Sequence, residues 1–173
     1  MEWTTERRYR RYEDWTDDEV KEIKEKMAQS PWHTRYHVEP KMGLLNDPNG
    51  FSYFDGKWIL FYQNFPFGAA HGLKSWVQLE SDDLVHFSET NVKVLPDTKL
   101  DSHGAYSGSA MQFGDNLFLF YTGNVRDENW IRHPYQIGAL MDKDGKITKI
   151  DKILIDQPAD STDHFRDPQI FNF

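Results

Sequence analysis

The pattern of apolar and polar positions changes once along the chain, near residue 31. Before that point, Val20, Ile23 and Met27 fall on one side of a 3.6-residue period, while Lys21/Glu25 and Glu22/Lys26 form i,i+4 pairs on the other. Thr16 and Glu19 have capping-box spacing, Trp15 and Val20 sit at the staple positions, and Pro31 forbids continuation. The spacing predicts a helix over 16–30, a strap on the outside of something larger. Residues 1–15 are aromatic and basic and show no clear period.

After Trp32-His33 the period shortens to that of β-strands. Residues 50–54 lead through Asp55-Gly56, a hairpin signal, into Lys57–Gln63. A polar, Gly-containing loop over 64–74 precedes a strand at 75–81, and Ser81-Asp82-Asp83 turns toward Val85-His86-Phe87. The plan then restarts: 106–113 runs through Gly114-Asp115-Asn116 into 117–122, and Phe61-Tyr62 reappears as Phe120-Tyr121 roughly sixty residues on. Asp47-Pro48-x-x-Phe51 returns as Asp167-Pro168-x-x-Phe171 after about two such periods. Strand groups repeating at this interval suggest the blades of a β-propeller, although the period exceeds the common value of about 40–50 residues. The reading is an all-β fold with an N-terminal extension over 1–30 and a partial propeller over 31–173. It comprises about two blades plus the first strand of a third. Two blades cannot close a ring of at least about four, so the chain is expected to be the N-terminal part of a longer protein.

Equivalent positions of successive blades converge on one end of the central channel. Asp47, Tyr106-Ser107 and Arg166-Asp167 are therefore expected to share a pocket. Asn46-Asp47-Pro48-Asn49-Gly50 places a carboxylate on a tight turn at a strand's lip, where Pro fixes φ and Asn and Gly tolerate positive φ. Two carboxylates facing one cavity, with amides and aromatic rings around them, suit binding and cleavage of a polyhydroxylated substrate. In a retaining glycosidase one carboxylate attacks while a second carboxyl group protonates the leaving oxygen. Arg166 beside Asp167 favours its charged form, which makes Asp167 a poorer acid and a better hydrogen-bonding anchor. Asp47 is the better nucleophile candidate.

Composition narrows the partners. A formal net charge of −8 over 173 residues disfavours nucleic acid or an anionic membrane surface, and the chain has no cysteine for disulfides or thiolate chemistry. No apolar run reaches the roughly 18–20 residues of a membrane span, and no apolar stretch follows Arg7, Arg8, Arg10 and Arg11 as in a secretory signal. A cytoplasmic location is the default. The seven histidines are scattered; His33 and His37 lie four apart, but after Pro31 and before β-like texture, which argues against a helical metal site. No metal or other cofactor is implied. Trp58, Phe61, Phe118 and Phe120 are read as inter-blade core.

Leu45-Asn46-Asp47-Pro48-Asn49-Gly50, Phe61-Tyr62-Gln63, Tyr106-Ser107-Gly108-Ser109-Ala110, Tyr121-Thr122-Gly123-Asn124 and Arg166-Asp167-Pro168 together resemble the ordered motifs of glycoside hydrolase family 32, the β-fructofuranosidases. The match runs from about residue 31, and its lead-in through His33, His37 and Pro40 is most similar to the bacterial sucrose-6-phosphate hydrolase branch. The resemblance implies a five-bladed propeller, Asp47 as nucleophile and Asp167 as transition-state stabiliser. It further implies that Asn46, Gln63, Tyr106, Ser107 and Arg166 contact the sugar, with Trp76 as part of the pocket wall. The family's general acid is a Glu in a downstream Glu-Cys motif, so the 173-residue chain alone is expected to be inactive. Two departures, His71-Gly72 where many members carry Trp and Tyr106 where Phe is common, leave the leaving-group subsite open. With it stays open the choice between sucrose and its 6-phosphate. A fructan hydrolase or fructosyltransferase shares the early motifs, and a non-catalytic sugar-binding propeller is the alternative outside enzymes.

Overall fold

A computed structural model describes residues 2–171. Two four-stranded antiparallel sheets, each a simple meander, stand side by side as two propeller blades. The first contains β1 (Leu44–Phe54), β2 (Lys57–Phe65), β3 (Ser75–Ser81) and β4 (Ser88–Val94). The second contains β5 (Ala105–Phe113), β6 (Asn116–Arg126), β7 (Arg132–Met141) and β8 (Ile147–Lys149). The β1–β2 hairpin turns on Asp55 and Gly56, at φ 49° and 81°; two consecutive positive φ values match the twist of the flanking strands.

Alternation along the strands builds the core between the blades. Phe54, Ile59, Phe61, Trp76 and Val94 of the first sheet meet Leu117, Leu119, Tyr121, Ile137, Ala139 and Met141 of the second. Each large side chain so buried contributes about 1.5–3 kcal/mol, which holds the blades as one body. Of the four aromatics expected in that core only Phe61 is there. Phe118 and Phe120 alternate with Leu117 and Leu119, so they project from the opposite face of the second sheet, stacked on each other at 6.0 Å. Trp58 packs instead under Phe51 and Tyr53 at 5.6 and 5.0 Å.

The N-terminal residues fold onto the first blade. α1 (Thr5–Arg8) and a 3₁₀ turn (Tyr12–Asp14) precede α2 (Asp17–Ala28), whose capping box joins Thr16 and Glu19 as the spacing predicts. Trp15, Val20 and Ile23 pack with Phe65 and Phe67, and Trp15 lies flat on Phe67 at 4.3 Å. The stretch without a period is therefore held by aromatic packing rather than by long helices. No helix among the described residues is long and apolar enough to cross a membrane.

Of two further segments, one closes as a turn where the sequence places it and the other differs from expectation. Asp83 accepts hydrogen bonds from the backbone of Val85 and His86 at 2.9 and 2.8 Å, closing a side-chain turn that delays β4 to Ser88. Residues 166–171 carry no strand ladder. They run beside β5, where Ser109 donates to the Pro168 carbonyl at 3.0 Å and accepts from the Ile170 amide at 3.1 Å. No other strand among the described residues is placed to pair with them.

Candidate active site

Both innermost strands break register at the same place in the repeat. Between Leu45↔Asn64 and Pro48↔Tyr62, β1 has one residue more than β2; between Ala105↔Gly123 and Gly108↔Tyr121, β5 has one more than β6. Such bulges turn a side chain out of the sheet's alternation. The residues released are Asn46-Asp47 and Tyr106-Ser107, and they meet: Ser107 Oγ donates to Asp47 Oδ2 at 2.6 Å across 60 residues of chain. Gly108 donates its N–H to Asn49 Oδ1 at 3.2 Å and ties the two strands just beyond the bulges. A Cβ on Gly108 would stand 2.1 Å from the Phe120 carbonyl oxygen, so only glycine lets the bulged strand lie this close.

A buried lysine sets the direction of the hydrogen bonds around Asp47. Lys74, 5% exposed, donates to Asn46 Oδ1 at 2.6 Å and to Gln63 Oε1 at 3.1 Å. An ammonium only donates, so both amides must turn their oxygens toward it. Their NH₂ groups then point away: Asn46 Nδ2 donates to Asp47 Oδ1 at 3.1 Å and Gln63 Nε2 to Ser107 Oγ at 2.7 Å. Ser107, having accepted, passes its own proton toward Asp47.

The electrostatics follow from this arrangement. Burial works against ionisation of Asp47, but the hydrogen bonds from Ser107 and Asn46, with the charge of Lys74, outweigh it and hold the carboxyl below its ordinary value. Burial brings Lys74 down to about 8; Asp47 opposes that fall and Arg166 adds to it. The imidazole of His71 is lowered chiefly by the charge of Lys74.

Asp167 reaches the same cleft from the irregular segment after β8. Its φ of 63° lies in the left-handed region, and its N–H donates to Thr122 Oγ1 of β6 at 3.1 Å. Arg166 Nε stands 3.5 Å from its carboxylate. The cleft measures about 550 Å³, and Asn46, Asp47, Gln63, Tyr106, Ser107, Arg166 and Asp167 all line it.

Trp76 does not line it. Its side chain is fully buried in the inter-blade core against Phe61 and Tyr121, and its indole N–H donates to the Tyr106 carbonyl at 3.0 Å. It supports the β5 bulge from behind. Sequence reasoning missed Lys74, Arg8, Tyr9, Arg126, Trp130 and Arg132, and singled out His71 only as a departure bearing on the leaving-group subsite; all of these line the cleft. Lys74 stands one residue before β3, at the end of a loop read as polar, and nothing in the sequence marks it as a cleft residue. Arg8 and Tyr9 lay in a stretch with no readable period.

Comparison with known proteins gives the family of the chain. The model of the glycosyl hydrolases family 32 N-terminal domain matches residues 37–173. The sucrose-6-phosphate hydrolase of Streptococcus mutans is 72% identical over 96% of this chain, and that of Lactococcus lactis 55% identical over all of it. The solved sucrose-6-phosphate hydrolase of Lactobacillus gasseri superposes with a TM-score of 0.93 at 49% identity over 99% of the chain. A Bombyx mori GH32 β-fructofuranosidase, solved in complex with sucrose, superposes at 0.72 and 30% identity over 92%. The chain spans only about 35% of the length of the Streptococcus, Lactobacillus and Bombyx proteins and 37% of the Lactococcus one. The match over most of its residues and the 72% identity establish that the chain belongs to glycosyl hydrolase family 32.

Proposed function

We propose that this chain supplies the nucleophile-bearing part of a sucrose-6-phosphate hydrolase that works by double displacement with retention. Asp47 attacks the fructosyl anomeric carbon as the bond from that carbon to the glucosyl oxygen breaks, giving a covalent fructosyl-enzyme. The leaving oxygen takes a proton from a general acid. Water then displaces the carboxylate and yields its proton to the same group. Asp167 and Arg166 bind fructosyl hydroxyls and act mainly in the transition state, while Asn46, Gln63 and Ser107 fix Asp47 and the sugar.

The single observation that carries the reading is the state of Asp47. It is kept ionised by two donors whose direction Lys74 enforces, in a cleft where a second carboxylate waits. Asp47 does not suit the acid role, since it is held ionised, and Asp167 is kept for the transition-state contacts. That group is assigned to no residue of the chain, and residues 1–173 by themselves are not expected to turn over. The charge around the cleft supports a phosphorylated substrate over sucrose: Arg8, Lys74, Arg126, Arg132 and Arg166 face two carboxylates in a protein of net charge −8. In the full-length protein, Asp47→Ala should abolish cleavage of sucrose 6-phosphate without unfolding the propeller. Turnover retained in that variant removes Asp47 from the nucleophile role.

A further inference from the structure

Arg126 and Arg132 stand directly opposite each other, the last register pair of the β6–β7 hairpin. Like charges in that relation repel and destabilise a hairpin. Nothing on the strands relieves them. Arg126 has no carboxylate partner among the described residues, and Arg132 has only Asp163 at 4.0 Å. Arg126 donates to the Trp130 carbonyl at 2.8 Å, and Arg132 lies over the Tyr106 ring at 5.9 Å. The Nε atoms of both are buried without a hydrogen-bond partner.

A third guanidinium arrives from the opposite end of the sequence. Arg8 closes α1, is held over the cleft by the Leu73 N–H donating to its carbonyl at 2.7 Å, and also has a buried, unpartnered Nε. Its neighbour Tyr9 packs edge-on against Trp130 at 5.1 Å, so the N-terminal strap and the β6–β7 loop touch each other at the cleft. Arg7 and Arg10, on the same strap, have unpartnered Nε atoms too, but both pair with Glu19, at 3.5 and 2.6 Å, and both lie over the Trp15 ring. Arg8 alone of the three is left to the cavity.

Three guanidinium groups line one cleft, two of them carried by residues paired across a hairpin, and only Arg132 has a carboxylate within 4.0 Å. Their planar forks match the oxygens of a phosphate monoester, and charge-assisted bonds to such a group are about twice as strong as neutral ones. We infer that Arg8, Arg126 and Arg132 form the subsite for the phosphate of the substrate's leaving group, and that the N-terminal strap, outside the matched family domain, is a specificity element. This rests on the sucrose-6-phosphate reading above. The strap is anchored by Tyr12, whose hydroxyl donates to the Leu73 carbonyl at 2.9 Å, and by Arg11, which donates to the Ser102 carbonyl at 3.0 Å.

The test uses the full-length enzyme and the ratio of kcat/KM on sucrose 6-phosphate to that on sucrose. Arg8→Gln and Arg126→Gln should each lower the ratio at least tenfold, as expected for losing a charge-assisted bond to a dianion. Arg10→Gln, which removes a charge from the strap but not from the cleft, should leave the ratio unchanged. Inorganic phosphate should compete with sucrose 6-phosphate in the unaltered enzyme, and more weakly in Arg8→Gln. An unchanged ratio in the two cleft variants, an equal loss on both substrates, or no competition by phosphate in the unaltered enzyme would overturn the subsite. An unaltered enzyme that cleaves neither sugar would instead overturn the functional reading.

Discussion

Replacing Lys74 by Met separates what this residue does for stability from what it does for the site. A pKa of about 8 in place of 10.5 means that the fold holds the ammonium at a cost of about 3 kcal/mol, after the attraction of Asp47 has been counted. Met fills a similar volume and removes that cost. Against this, Asn46 Oδ1 loses its Lys74 donor, a penalty of about 1–3 kcal/mol, while Gln63 Oε1 keeps its bond from Asn46 at 2.7 Å. The two effects nearly cancel, so Tm should move by only a few degrees. Catalysis has no such compensation. Without a donor-only group both amides are free to flip, Ser107 loses its reason to donate to Asp47, and the carboxylate loses a neighbouring positive charge. A fall in kcat/KM of about a hundredfold or more follows from the loss of positioning. A second signature concerns pH. The folded pKa lies below the unfolded one, so between about 8 and 10.5 the unfolded chain binds more protons and the wild-type protein gains stability as pH rises. That gain should vanish in the Met variant. Thermal melts across this pH range and steady-state kinetics test both claims. A variant that melts much earlier yet keeps its kcat/KM would show that Lys74 is structural and that the polarity argument is wrong.

Two other substitutions probe how the second carboxylate and the bulge are held. Thr122→Val removes the hydroxyl that accepts from the Asp167 amide and donates to Gln136 at 2.7 Å; kcat should fall further than KM rises, whereas a change confined to KM would place Asp167 outside the transition-state contacts. Gly108→Ala drives a Cβ into the backbone of Phe120 and Tyr121, at 2.1 and 2.6 Å, and should cost several kcal/mol in a denaturant titration; a loss under about 1 kcal/mol would mean that the bulged strand can shift freely.

Much of the architecture was open to reading along the chain because it depends on local order. The Thr16/Glu19 cap, the Asp55-Gly56 turn and the two-residue alternation of the strands are set by neighbours in sequence, and the recurrence near sixty residues marked the second blade. The same recurrence brought Asp47, Ser107 and Asp167 to one cleft, since repeated modules present equivalent positions to a shared axis. What local order could not convey was which face of a strand meets which neighbour. Alternation put Phe118 and Phe120 on one side of their strand without saying that the inter-blade core lay on the other. Trp76 looked like a wall residue but is packed behind the bulge. Lys74, Arg8, Arg126 and Arg132 belong to the cleft because a loop end, the strap and the tips of β6 and β7 carry them there, and a charge among polar residues is indistinguishable in one dimension from a solvated one. Periodic burial is written in the chain; the meeting of unlike segments is decided only when the blades pack.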